Sequence, residues 1–201
     1  MRIAITGSSG LAKTIKDVFE ATPHVGKTFE VTPIRCEDIT ANGKNCWIFT
    51  GYKPCDVLLN FAHQDQAEIL SIAHEAWLKE GSKMIINFSS RAGHPNISKG
   101  YKYASEKAQL NHLANNLTYN SEKRYKMTTI NLGLINHQDL PSLQWNDIAH
   151  LVYKLVTAYP SIEFPEITMQ HRANYQEVQS DKSAILDAEK MQKALYPANG
   201  M

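Results

Sequence analysis

Tyr103 and Lys107 stand four positions apart, a spacing that puts both side chains on one face of a helix. An ammonium beside a phenol favours the phenolate, which makes the tyrosine a usable general acid or base near neutral pH. Ser90 lies 13 positions before Tyr103, at the end of the run Met84–Ser90. A hydroxyl there can hydrogen-bond the same substrate oxygen. A second chemical segment is Thr6-Gly7-Ser8-Ser9-Gly10-Leu11-Ala12. Glycines in such a turn let the backbone approach a pyrophosphate, and the N–H groups of a following helix favour the anion. The third glycine of the usual fingerprint is missing, with Ala12 or Lys13 in its place. Ala12 is small enough to keep helix and sheet close, and Lys13 either reaches a phosphate or points into water.

These groups need elements to hold them. Short apolar runs predict strands at Arg2–Thr6, Phe29–Ile34, Asp56–Asn60, Met84–Phe88, Met127–Leu132 and Glu163–Thr168, with a very short one at Cys36–Ile39. Val57-Leu58-Leu59 and Met84-Ile85-Ile86 are continuously apolar, as in parallel strands covered on both faces. Helical spacing recurs between them. Leu11, Ile15, Val18 and Phe19 form one stripe, and a helix containing Trp47 and Ile48 follows the Asn42-Gly43 turn. Further helices cover about Gln66–Lys79, ending near Gly81, and Tyr103–Leu117. The stripe Ile148, Leu151, Val152, Leu155, Val156 predicts a helix capped by Asn146 or Asp147 and ending before Pro160. Strands alternating with helices predict an α/β protein with a doubly wound parallel sheet of about seven strands and helices on both faces. One domain spans residues 1–171, and residues 172–201 form a polar tail with a helix over about Asp181–Leu195.

In this fold the end of the second strand selects the dinucleotide: an acid holds the ribose 2′-hydroxyl, an arginine accommodates a 2′-phosphate. Here the strand ends in Ile34-Arg35, and Glu30 sits at its other end. Arg35, with Lys13, therefore favours NADP over NAD. The 201 residues carry 21 Lys+Arg and 20 Asp+Glu, for a net charge of +1. That balance argues against a nucleic-acid footprint or a polyanionic membrane as partner. No apolar run reaches the roughly 20 residues of a membrane span, and with a strand starting at Arg2 no signal peptide is expected. Cys36, Cys46 and Cys55 are odd in number and lack CxxC spacing, which points to reduced thiols in a cytoplasmic protein rather than disulfides or a metal site.

Taken in order, the motifs resemble the short-chain dehydrogenase/reductase family. They are the turn Thr6–Ala12, Asp38-Ile39, Asp56-Val57-Leu58-Leu59-Asn60-Phe61-Ala62, Ile86-Asn87-Phe88-Ser89-Ser90-Arg91-Ala92-Gly93, Tyr103–Lys107 and Ile130-Asn131-Leu132-Gly133-Leu134-Ile135. The resemblance covers about residues 1–168 and implies a Rossmann-like fold. It implies Tyr103 as the acid/base exchanging a proton with the carbonyl or alcohol oxygen. Lys107 would bind the nicotinamide ribose and favour the tyrosinate, and Ser90, preferred to Ser89 by the Ser90-x-x-Gly93 register, would orient the carbonyl. It places Gly7, Ser8, Ser9, Gly10 and Leu11 at the pyrophosphate, and Asp38 and Ile39 at the adenine. Asn60 and Ala62 fall on the adenosine side, Leu134 and Ile135 at the nicotinamide amide. The implied reaction is NADP(H)-dependent hydride transfer between a small-molecule carbonyl and an alcohol, in a homodimer or homotetramer. The apolar residues Ile69, Leu70, Ile72, Ala73, Ala76, Trp77, Leu110, Leu113, Ala114 and Leu117 support that pairing.

The sequence also departs from the family pattern. The family often carries an Asn on the long central helix, yet no Asn lies between residues 61 and 86. That leaves a proton relay to water, His63 or Gln64. The family's Asn-Asn-Ala-Gly is Asn60-Phe61-Ala62-His63 here, and the proline before Gly133 is Leu132. Only residues 136–146 are left for a substrate lid, which predicts an open site, one completed by another subunit, or a substrate held mainly by the Ser90–Tyr103 segment. Arg91, His94, Asn96, Lys99 and Lys102 make the stretch before Tyr103 basic and polar, fitting an anionic or polyhydroxylated substrate. Trp77 and Trp145 read as core or interface residues. The alternative is a catalytically idle NADP-binding sensor or scaffold. A nucleotide-sugar epimerase of the extended branch would need a C-terminal substrate domain that about 33 residues cannot supply.

Overall fold

The computed structural model describes residues 1–22, 24, 26–62, 65–94 and 101–172. The strands are β1 (Arg2–Thr6), β2 (Glu30–Ile34), β3 (Val57–Asn60), β4 (Met84–Ser90), β5 (Lys126–Leu132) and β6 (Glu166–Met169). They form one six-stranded sheet in the order β2-β1-β3-β4-β5-β6, parallel at every pairing. The helices are α1 (Gly10–Ala21), α2 (Cys36–Asn42), α3 (Trp47–Thr50), α4 (Gln66–Trp77), α5 (Tyr101–Thr118) and α6 (Trp145–Thr157). Short 3₁₀ turns lie at Gly43–Asn45 and Arg91–Gly93.

Alternation along the strands sends side chains to two cores. Ile3, Ile5, Leu59, Ile86 and Ile130 pack with Ile15 and Phe19 of α1 and with Ile148, Val152 and Leu155 of α6. On the other face Ala4, Leu58, Ile85 and Met127 pack with Ile39, Ile48, Ile69, Leu70, Trp77 and Leu110. Each fully buried Ile or Leu contributes about 1.5–3 kcal/mol over an exposed one. β3 is buried at every position and β4 at all but its last, which accounts for their unbroken apolar runs.

Among the described residues the sheet has six strands and not about seven. Cys36–Ile39 is the start of α2 instead of a strand. Its apolar residues Cys36 and Ile39 are three apart, a helical spacing, and Glu37 and Asp38 sit in the first turn, where the helix dipole favours acids. β2 is therefore an edge strand. Glu30 N–H donates to the Met1 carbonyl, and Gly7 N–H to the Ile34 carbonyl, so Glu30, Thr32 and Ile34 turn their backbone groups toward β1. Val31 and Pro33 turn theirs to the open side. α6 starts two residues earlier than expected, with Gln144 at the N-cap and no side-chain capping bond; neither Asn146 nor Asp147 caps it.

Ile69, Leu70, Ala73, Trp77, Leu110 and Ala114 lie inside the chain's own core, and Ile72, Ala76, Leu113 and Leu117 pack against it. The first six are taken up by folding, while Ile72, Ala76, Leu113 and Leu117 stay half-buried. The three cysteines are free, and burial pushes the Cys55 thiol up to about 12. Among the described residues no helix is long and apolar enough to cross a membrane. The helix expected near residues 181–195 lies outside the described residues.

Candidate active site

The carboxyl ends of β1 to β5 bring the predicted site residues to one edge of the sheet. After β1, Gly7 takes φ +112° and Gly10 φ +54°, left-handed conformations that glycine adopts without steric cost. Gly7, Ser8 and Ser9 are exposed, and Gly10 and Leu11 half-buried. Ser9 is the N-cap of α1, yet its side chain makes no capping bond, and no acid occupies the first turn. Ala12 N–H donates to the Ser9 carbonyl at 3.2 Å, and no side chain caps the N–H groups of Gly10 and Leu11, which suits an anion there. Ala12 Cβ stands 3.8 Å from the position a Cβ on Gly7 would take, so a small residue there lets the turn lie against α1. Lys13 does not reach toward the turn; its ammonium pairs with Asp17 at 2.5 Å on the exposed face of α1. The Trp145 ring lies 3.6 Å from the Cβ position of Gly10, which brings the start of α6 against the glycine turn.

Arg35 is exposed at the end of β2 and is the N-cap residue of α2. Asp38 is exposed on α2, but Ile39 is 0% exposed in the core. Its side chain has no surface to offer an adenine, because α2 turns it toward α4. Asn60 and Ala62 are buried as well. Asn60 acts as a strut: its Nδ2 donates to the Gln66 carbonyl at 2.9 Å and to Asn87 Oδ1 at 3.1 Å. The Phe61 N–H donates to Thr6 Oγ1 at 2.6 Å, tying the ends of β1 and β3.

Ser90 ends β4, half-buried, and its Oγ accepts the Ala92 N–H at 3.1 Å. Ser89 is buried, which leaves Ser90 as the more accessible of the two serines. The turn after Ser90 presses on α5. A Cβ on Gly93 would meet the Lys107 carbonyl carbon at 2.8 Å and Ala108 N at 3.0 Å. On α5, Tyr103 is exposed and Lys107 is only 5% exposed, with the ammonium 5.6 Å from the centre of the Tyr103 ring. Lys107 Nζ donates to Gln66 Oε1 at 2.5 Å and to the Phe88 carbonyl at 3.2 Å. Burial lowers its pKa from the ordinary lysine value to about 8, against a smaller opposing effect of Glu106. Beside this pair lies a cleft of about 420 Å³ lined by Asp65, Gln66, Glu68, Lys102, Glu106 and Lys107.

After β5, Leu134 and Ile135 are half-buried. Ile135 forms a parallel bridge with Leu143. Asn136 N–H donates to the Leu143 carbonyl and Leu143 N–H to the Leu134 carbonyl, each at 2.9 Å. His137 N–H donates to buried Ser142 Oγ. Residues 136–146 are thus strapped onto their own strand end. In the described part of the stretch before Tyr103, His94 Nε2 lies 3.3 Å from Glu166 Oε1, and Lys102 shares its cleft with three acids. Asn96 and Lys99, and the relay candidates His63 and Gln64, lie outside the described residues.

No protein-family model and no curated protein matches the sequence. Solved structures do match the fold. Serine dehydrogenase from Escherichia coli superposes with TM-score 0.66 at 16% identity, over 85% of this chain and 97% of that one. A short-chain dehydrogenase/reductase (glucose/ribitol dehydrogenase) from Brucella melitensis gives 0.63 at 13%, over 83% and 93%. Gluconate 5-dehydrogenase from Burkholderia cenocepacia J2315, in complex with NADP and tartrate, gives 0.64 at 13%, over 84% and 92%. The chain shares the Rossmann-like fold of these dehydrogenases.

In this fold, Gln66 is the residue beside Lys107 that sequence reasoning missed. It is the first residue of α4 and is 6% exposed. Its contact with Lys107 spans 41 positions. A glutamine in a first helical turn looks like any solvated polar residue, so no local signal marks it. Trp145 was assigned to core or interface, and its contact with Gly10 is likewise invisible in sequence.

Proposed function

We propose that the protein is an NADP(H)-dependent oxidoreductase that interconverts a carbonyl and an alcohol, with Tyr103 as acid/base. The observation that carries this reading is the buried Lys107 ammonium, 5.6 Å from the Tyr103 ring on the same helix face. The glycine turn suits a dinucleotide: Gly7, Ser8, Ser9 and Gly10 offer an uncapped helix start without an acid, and exposed Arg35 ends the neighbouring strand. Leu134 and Ile135 would flank the nicotinamide amide, and Asp38 is the exposed residue left on the adenine side. Bound NADPH would supply the hydride to the carbonyl carbon.

The chain's own residues then handle the oxygen. In reduction the Tyr103 hydroxyl gives its proton to the carbonyl oxygen, and the Lys107 ammonium favours the phenolate left behind. Ser90, its Oγ held by the Ala92 N–H, keeps its own O–H to donate to the same oxygen. Oxidation runs these steps in reverse. The test is purified protein with NADPH and a panel of small polar carbonyls, followed by loss of reduced-nicotinamide absorbance. NADPH binding without turnover of any member would move the protein to the sensor reading.

Arg35 carries a separate expectation. A charged hydrogen bond to a 2′-phosphate contributes about 1.5–3 kcal/mol. Arg35→Ala is therefore expected to weaken NADPH binding roughly 10- to 100-fold and to leave NADH binding unchanged. Calorimetric titration with both cofactors checks this, and equal losses for both would contradict it.

A further inference from the structure

Gln66 occupies a place where four elements meet. Its Nε2 donates to the Asn60 carbonyl of β3 at 2.6 Å and to the Phe88 carbonyl of β4 at 2.9 Å. Both amide hydrogens are thereby engaged, and rotating the amide would set oxygen against two carbonyl oxygens. Oε1 is left with one direction, toward the Lys107 ammonium at 2.5 Å. The Gln66 carbonyl in turn accepts from Asn60 Nδ2. The two acceptors of Lys107, Gln66 Oε1 and the Phe88 carbonyl, are both neutral.

Charged and titratable groups surround the ammonium at longer range. Asp65 and Glu68 face its cleft from the start of α4, and Lys102 and Glu106 from α5. Tyr103 lies under it, and Arg91 belongs to the 3₁₀ turn packed on α5. β4 carries no titratable side chain and gives the ammonium the Phe88 carbonyl. A buried cation held by a neutral amide loses its proton more readily than one held by a carboxylate.

We propose that Gln66 is the residue that positions the Lys107 ammonium for Tyr103, and that its neutral amide sets the pH above which the site loses that ammonium. This rests on the reading of Tyr103 and Lys107 as the working pair. Gln66 touches neither substrate nor reacting atoms and acts through Lys107. Two near-isosteric replacements separate positioning from mere packing. Gln66→Glu places a carboxylate beside the ammonium; Gln66→Met removes the acceptor.

The readout is the titration of Lys107 in the full chain, followed by NMR of lysine carbon-13 labelled at the ε position and assigned with Lys107→Met. In the unaltered protein the midpoint is expected at about 8. Gln66→Glu is expected to raise it by roughly one to three units, and Gln66→Met to lower it. The alkaline limb of kcat is expected to move with each midpoint. A role in packing alone would lower activity in both variants without opposite shifts. Midpoints that stay fixed, or move the same way in both, overturn the proposal. So does an ordinary lysine midpoint in the unaltered protein, which needs no variant to fold. Opposite shifts in a protein that turns over no carbonyl would sustain the Gln66 tie and overturn the reaction proposed above.

Discussion

Tyr103→Phe is expected to lower carbonyl turnover by roughly 10²–10⁴-fold, the usual contribution of a positioned general acid. NADPH binding should be retained. The change removes one oxygen from an exposed side chain at the start of α5 and leaves the ring under the Lys107 ammonium. Lys107 keeps its bonds to Gln66 and Phe88, so the fold and the glycine turn are untouched. Steady-state kinetics with a calorimetric NADPH titration separates the two quantities. Full turnover in the variant would remove Tyr103 from the reaction, and joint loss of binding and turnover would mean that the phenol serves the cofactor instead.

Gly93→Ala is the larger structural perturbation. The added methyl would sit 2.8 Å from the Lys107 carbonyl carbon and 3.0 Å from Ala108 N. Both are helix backbone and cannot rotate aside, so the turn after Ser90 and α5 must separate. Overpacking of this kind costs about 1–3 kcal/mol, read as a fall in the thermal midpoint of roughly 2–12 °C. The same shift moves Ser90 away from Tyr103 and Lys107. Misplacement by about 1 Å can cost 10²-fold in rate, so kcat is expected to fall more than stability alone explains. Gly81→Ala serves as the control: the nearest atom to its added Cβ is Arg124 O at 4.0 Å, and a change within about 0.5 kcal/mol is expected. Equal effects at both positions would contradict the close-approach account.

What was legible in the sequence depended on how local its cause was. β3 and β4 announce themselves because both faces are covered, so Val57-Leu58-Leu59 and Met84-Ile85-Ile86 are apolar without a break. The Tyr103–Lys107 pair follows from one helical turn. Ile39 shows where ordered motifs mislead. Its place after the second strand suggested the adenine, yet its spacing from Cys36 makes a helix that buries it. The α6 start was misplaced because Gln144 caps without a side-chain bond. Gln66 and the Trp145–Gly10 contact join segments far apart in the chain, and nothing in the periodicity of either segment encodes the other.

The open side of β2 has a consequence for how copies of this protein meet. An unpaired strand edge is a template on which a second chain can add its own strand, and long flat edges seed aggregation. Thr32 and Ile34 spend their hydrogen bonds on β1, so only Val31 and Pro33 face outward along the strand. Pro33 has no N–H, which removes a donor from the template at the position opposite Ile5. A chain with one strand fewer than expected would otherwise present a sticky margin. Among the described residues that margin is blunted by a single imino acid, which disfavours edge-to-edge growth through β2.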